Sequence, residues 1–273
     1  MEFNRIESAD NKRVKLAASL HQRKHREREG LFLAEGVRLA EMAAESAWPI
    51  RFALATEKML QSDRGRALAE KLSAETEVLL VSEKIFLKAA GTEQPQGILL
   101  LMEQKKGSLE TMQAAGNPLY VVLDRVQDPG NVGTIIRTAD AAGAHGVLLT
   151  KGSADVFSDK VVRSTMGSLF HMPMVTGVSA EEVQGFARER GCKLLVTALE
   201  ERARPLYERN LAQPTVLVFG NEGNGVSPEL IKAGEKTYIP MAGGAESLNV
   251  GVSAAVVLFE ALRQRKFLHS QQR

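Results

Sequence analysis

The sequence predicts a two-domain α/β chain whose second domain is built on a parallel sheet, and three observations carry that prediction. Short apolar runs with few polar alternations recur along the chain, separated by longer segments of helical periodicity, which is the pattern of strands covered on both faces. At 273 residues the chain is long enough to bury two cores. A hydrophobic content of 44% against 25% charged residues, at net charge +2, lies far from the composition of disorder.

In the first half, Val14, Leu16, Ala17 and Leu20 recur at helical spacing among basic residues, predicting an amphipathic helix over Lys12 to Gln22. Leu31 to Ala34 reads as a strand, and Val37, Leu39, Met42 and Ala43 as a helix. Arg51 to Ala55 reads as a strand, Leu60 to Leu72 as a helix and Val78 to Val81 as a strand. Ser82 caps a helix over Glu83 to Ala90, and Gly97 to Met102 closes the unit as a strand. A polar, turn-rich stretch follows from Glu103 to Pro118, so the expected domains are residues 1–106 and 117–273.

The second half alternates more regularly. Strands are expected at Tyr120 to Asp124, Gly146 to Thr150, Lys193 to Ala198, Thr215 to Phe219 and Lys236 to Ile239. Helices are expected at Val132 to Ala142, Lys160 to Gly167, Ser179 to Arg190, Pro228 to Ala233 and Val250 to Lys266.

Composition narrows the function classes. The single Cys192 excludes an internal disulfide and a multi-cysteine metal site, and its neighbours read as the start of a buried strand. No apolar run is long enough to cross a membrane and the first residues lack a signal core, so a cytoplasmic protein is expected. Between Asn11 and Arg28 the chain holds Lys12, Arg13, Lys15, Arg23, Lys24, Arg26 and Arg28 with Glu27 as the one acid. Such a run is either a local field for phosphates or a solvated helix face.

Open parallel sheets bind ligands beyond the carboxyl ends of their strands, and three loops there stand out. Asp124 to Asp140 carries the Pro129-Gly130 turn, Asn131 as a candidate helix cap, and Gly133, Arg137 and Asp140 on one helix face. Val216 to Val226 is a strand running into Gly220, Gly223 and Gly225, with neither the G-x-G-x-x-G order of a dinucleotide fold nor the lysine of a P-loop. Ile239 to Ser253 is a strand, a glycine turn and an apolar helix. Each loop alone is an ordinary tight turn.

In order, Asp-Pro-Gly-Asn-Val-Gly-x-x-x-Arg-Thr-Ala, Phe-Gly-Asn-Glu-Gly-x-Gly and Ile-Pro-Met-x-Gly-x-x-x-Ser-Leu-Asn-Val resemble the three motifs of the SpoU (TrmH-like) RNA ribose methyltransferases of the SPOUT superfamily. The resemblance spans Tyr120 to Arg265, and the first half resembles the ribosomal-protein-like substrate-binding domain many members carry. It implies a parallel α/β domain with a C-terminal trefoil knot, S-adenosyl-L-methionine as cofactor and no metal. It further implies a homodimer and methyl transfer to a ribose 2'-hydroxyl, in 23S ribosomal RNA rather than transfer RNA. Carried over by position, Arg137, Asn131, Glu222, Ser247 and Asn249 are the catalytic candidates. Gly220, Ile239, Leu248, Gly223 and Met241 are the cofactor-binding candidates, with Thr197 a further one.

The family's arginine is often described as a general base, but a guanidinium stays protonated in proteins, which favours phosphate binding and electrostatic activation of the hydroxyl. Glu222 is expected to orient Arg137 or an amide of the cofactor loop, while Ser247 and Asn249 could equally cap the last helix, a role compatible with ligand contact. His145 and His171 read as structural. The rival readings are a transfer RNA methyltransferase, a non-catalytic RNA-binding protein and a nucleotide-binding enzyme using the Gly220 loop.

Overall fold

The computed structural model describes residues 3–113 and 115–267. These pack as two units, one of the residues up to Lys105 together with Asp155–His171, the other of Lys106–Ala154 and the residues from Met172 on. The segment Asp155–His171 thus packs with the first unit although it lies far along the chain.

The first unit contains β1 (Asn4–Ile6), α1 (Lys12–Ser19), α2 (Arg23–Glu29), β2 (Leu31–Glu35), α3 (Val37–Glu45) and β3 (Ile50–Thr56). It continues through α4 (Glu57–Leu60), α5 (Asp63–Ser73), β4 (Val78–Val81), α6 (Glu83–Ala89) and β5 (Ile98–Glu103). Its sheet runs β1-β4-β3-β5-β2, with β5 antiparallel to both neighbours and the other pairs parallel. Val14 and Ala17 of α1 and Ile85, Phe86 and Ala89 of α6 bury against Leu33, Leu54, Leu79 and Leu99 of the sheet. Ser82 caps α6 as expected, its hydroxyl accepting from the Ile85 amide.

Two expectations need correction here. The Lys12 to Gln22 helix ends at Ser19 and a second begins at Arg23, and the Leu60 to Leu72 helix is likewise split at Ser62, whose hydroxyl caps the later piece. Within the basic run, several cations are paired, two of them with acids distant in sequence. Arg13 pairs with Glu77, Lys15 with Asp10, Arg23 with Glu27 and Arg28 with Glu29, and Arg26 is buried against Asp155. Glu77 and Asp155 are partners that chain order alone does not reveal.

The second unit is built from β6 (Leu119–Asp124), α7 (Pro129–Ala141) and β7 (Gly146–Thr150). After α8 (Asp159–Ser164), which packs in the first unit, come β8 (Met174–Val178), α9 (Ala180–Glu189), β9 (Lys193–Thr197) and β10 (Arg204–Pro205). β11 (Thr215–Gly220), α10 (Pro228–Ala233), β12 (Glu235–Tyr238) and α11 (Val250–Phe267) complete it. All seven strands are parallel, in the order β10-β12-β9-β11-β6-β7-β8. Strands β1, β8 and β10 were not expected: the first and last are very short, and β8 carries Gly177 at positive φ where a register shift interrupts its pairing with β7.

The strand order places the site. From β6 the chain adds β7 and β8 on one side, then returns to build β9, β11 and β12 on the other. The reversal therefore lies between β6 and β11, where open parallel sheets form a ligand crevice. These two strands pair in register, Gly220 opposite Asp124, so the first two motif loops leave from adjacent strand ends.

Candidate functional site

The first loop is fixed by Asp128, not Asn131. Asp128 accepts from the Asn131 backbone amide at 2.8 Å and caps α7, with Pro129 in its first turn, where a missing N–H costs nothing. Asn131 therefore sits inside the helix with its side chain free for other partners, which corrects the cap expected from sequence.

Those partners are the other two loops. Asn131 Nδ2 donates to Glu222 Oε1 at 3.0 Å, and Asn131 Oδ1 accepts from Asn249 Nδ2 at 3.0 Å. Asn249 Oδ1 in turn accepts from the amides of Gly251 and Val252, so one side chain both starts α11 and reaches the first loop. The Glu222 carboxylate also accepts from the backbone amides of Gln127 and Asp128. Burial pushes the Glu222 carboxyl up, but the bonds from Asn131, Gln127 and Asp128 outweigh it and hold the group below the usual carboxylate range. The acid orients Asn131 and the Gln127–Asp128 amides, whereas Arg137 was one partner expected of it.

The glycine loop after β11 is self-bracing. Asn221 and Gly225 exchange backbone hydrogen bonds of 3.0 and 2.9 Å, and Asn221 Oδ1 accepts from the amides of Gly223 and Asn224. A Cβ at Gly220 would lie 2.3 Å from Gly225 C and Val226 N, so the loop folds back over a position that only glycine can occupy. Gly223 has no such constraint, its nearest atom being Asn221 Oδ1 at 3.7 Å. Thr197, at the end of β9, donates to the Val218 carbonyl at 2.9 Å and borders the same strand.

The third loop is open. From Met241 to Leu248 the side chains are exposed and the backbone makes no hydrogen bond among the described residues. Ser247, Leu248 and Met241 lie on this stretch, and Ile239 sits half-buried just past β12. Arg137 is exposed on α7, with no ion pair among the described residues. The structure thus joins Asn131, Glu222 and Asn249 directly and leaves Arg137, Ser247, Leu248 and Met241 facing solvent.

Two residues essential to this arrangement escaped sequence reasoning. Asp124, 2% exposed at the end of β6, accepts from the Ser227 amide at 2.6 Å and from Thr150 Oγ1 at 2.9 Å, tying the ends of β6 and β7 to the start of α10. Asn221 additionally donates to the Arg125 carbonyl at 2.9 Å. A charged residue closing an apolar strand was the available signal for the first, and the second stands in the Phe-Gly-Asn-Glu-Gly-x-Gly motif without having been given a role. His145 accepts from the Leu119 amide and packs by Tyr120, a structural role as expected. Cys192 is half-buried, and burial pushes its thiol up. Among the described residues no cluster of side chains is arranged to hold a metal ion, and no helix is long and apolar enough to cross a membrane.

Comparison with known proteins adds to this geometry. Residues 118–259 match the SpoU rRNA Methylase family, and residues 11–100 match the MRM3-like substrate binding domain. The chain is 38% identical to the 23S rRNA (guanosine(2553)-2'-O)-methyltransferase RlmP of Bacillus subtilis (strain 168), over 94% of this chain and 98% of that protein. It is 34% identical to the 23S rRNA (uridine(2479)-2'-O)-methyltransferase of Streptomyces viridochromogenes, over 96% and 92%. Among solved structures, the AdoMet-bound rRNA methyltransferase from Sinorhizobium meliloti matches with a TM-score of 0.87 at 35% identity, over 97% of this chain and 99% of that one.

Proposed function

The chain belongs to the SpoU rRNA methylase family, and from that premise we propose that it transfers the methyl group of S-adenosylmethionine to a ribose 2'-hydroxyl of 23S ribosomal RNA. The observation that carries the reading is the hydrogen-bonded chain from Glu222 through Asn131 to Asn249, which holds the three motif loops in one geometry at the switch point of the sheet. The two relatives modify a guanosine and a uridine, so the ribose is the shared target and the base is not.

The residues present fit the cofactor. The Met241 to Leu248 backbone offers unpaired N–H and C=O groups, and an adenosyl and amino-acid ligand is rich in complementary polar edges. Gly220, Gly223, Ile239, Met241 and Leu248 would hold it, with Thr197 supporting β11 beneath. When bound, the cofactor supplies an electrophilic methyl on a positively charged sulfur.

The chain's own task is alignment and charge. Arg137 binds the phosphate next to the target ribose and, as a fixed cation, favours loss of the hydroxyl proton to solvent as the new C–O bond forms. Asn131, positioned by Glu222, and Asn249 and Ser247 orient the hydroxyl. Arg137→Lys separates this role from point-charge catalysis: near-normal transfer by the lysine variant would refute a bidentate requirement.

Residues 1–106 serve in this reading as the RNA substrate-binding domain and residues 117–273 as the methyltransferase domain. A cytoplasmic homodimer fits the half-exposed Val252 and Phe259, which lie two turns apart on α11 beside the open third loop. The deciding experiment maps 2'-O-methyl sites in total RNA from a deletion strain against wild type. Loss of one 23S site is expected; loss in transfer RNA, or no loss, overturns the substrate assignment. Calorimetric binding of S-adenosylmethionine would exclude a non-catalytic RNA-binding protein.

A further inference from the structure

Arg125 follows β6 directly, and its backbone lies at φ +57, a left-handed conformation that favours glycine. Three bonds impose it. The Arg125 amide donates to Thr150 Oγ1 at 3.0 Å, Thr150 is held by Asp124, and the Arg125 carbonyl accepts from Asn221 Nδ2 at 2.9 Å. The loop would form with less strain if this residue were glycine, yet it is an arginine. Strained positions that keep an unfavourable side chain concentrate where the side chain has work to do.

The guanidinium is poorly satisfied inside the protein. Its Nε is buried and has no acceptor among the described residues. Its single ion pair among the described residues is a long one, Nη2 to Asp124 Oδ2 at 3.7 Å, and that oxygen already accepts from the Ser227 amide. The side chain is 39% exposed, and its aliphatic stem passes over Gly152, where a Cβ would lie 3.5 Å from Arg125 Cγ. Lys151, also exposed, directly follows β7, the strand paired with β6. Two cations thus stand at the carboxyl edge of the sheet, on the same loop whose Gln127 and Asp128 amides bind Glu222.

We infer that Arg125 is a substrate-binding residue that takes a backbone phosphate of the RNA beside the methylated nucleotide, with Lys151 adding to the field. A guanidinium with donors to spare suits a phosphate, and phosphate contacts fix register on the RNA without reading its sequence. The inference rests on the methyltransferase reading above.

The test uses Arg125→Gly in the full-length protein, since glycine accepts the backbone conformation and the variant is expected to fold with unchanged or higher Tm. With a 23S fragment as substrate, KM for RNA is expected to rise on the order of tenfold while kcat and S-adenosylmethionine affinity stay near wild type. The slope of log affinity against log salt is expected to fall in magnitude by about one phosphate's share. Arg125→Lys should recover part of the loss. Unchanged KM and salt slope, or a loss confined to cofactor binding, would overturn the assignment. An inactive wild-type enzyme would instead count against the methyltransferase reading itself.

Discussion

Glu222 Oε1 accepts a 3.0 Å hydrogen bond from Asn131 Nδ2, joining loops 91 residues apart in sequence. The carboxylate faces only donors, the Asn131 amide and the backbone N–H groups of Gln127 and Asp128. Glu222→Gln turns one acceptor into a donor aimed at those N–H groups. At saturating cofactor and RNA the turnover is expected to fall about tenfold to a hundredfold, the range for losing a hydrogen bond to a charged group. Tm should barely move. A turnover within about twofold of wild type would reduce Glu222 to a surface carboxylate. The group's folded pKa is depressed, so its contribution is present above the ordinary carboxylate range and disappears as pH falls through the lowered value. Any activity limb near neutrality should therefore persist in the glutamine variant.

Gly220→Ala tests the second loop. The added methyl would meet Gly225 and Val226 backbone atoms at 2.3 Å, and backbone cannot swing aside as a side chain can. The expected cost is about 1–3 kcal/mol in urea unfolding, with cofactor affinity falling more steeply than stability because the loop itself is displaced. Gly223→Ala, with its nearest atom at 3.7 Å, is the control and should be tolerated sterically. Equal effects from the two substitutions would show that packing at Gly220 is not what shapes the loop.

Both loops show what a sequence can and cannot disclose. The strands β4 and β7 and the helix α10 were legible to the residue, because short apolar runs and a Ser-Pro start are local signals. Asn131, Glu222 and Asn249 were legible as a set only through the resemblance of three ordered motifs. That Glu222 meets Asn131 was not legible, since the contact depends on β11 lying beside β6. The pairing of Arg13 with Glu77 and of Arg26 with Asp155 was illegible for the same reason, since both acids are remote in sequence. Arg125 passed unnoticed because a left-handed backbone leaves no mark on an arginine codon by codon.

The buried Arg26 ties Asp155–His171 into the first unit. Its Nε and Nη2 donate to Asp155 Oδ2 at 2.9 and 2.7 Å, and Nη1 to the carbonyls of Leu20 and His21. Arg26→Ala strands a carboxylate and two carbonyls away from water, a loss of about 3–5 kcal/mol. Arg26→Met with Asp155→Asn removes the charge together with the cation and should cost less than the single alanine change. Urea unfolding that places Arg26→Ala within about 1 kcal/mol of wild type would show the pair to be dispensable.

His21 supplies a pH dependence to the same segment. Its Nδ1 pairs with Asp159 and its Nε2 lies 2.9 Å from the Ala89 carbonyl, so both ring nitrogens face acceptors. A neutral imidazole donates from one nitrogen only, whereas the imidazolium satisfies both. The hydrogen bond to Asp159 raises the His21 pKa against the opposing effect of burial, with Glu35 a further carboxylate acting in the same direction. A raised folded value means that the stabilisation is complete below the unfolded histidine pKa of about 6.5 and is lost as pH rises through the folded one. As pH rises from about 6 through the raised folded value the first unit should therefore lose stability, and His21→Gln should flatten that slope while lowering the acid-side value. Thermal denaturation across the range, with hydrogen exchange read at the α8 amides, measures both. Parallel slopes in the two proteins would assign the pH dependence to another group, because a glutamine has no proton to lose.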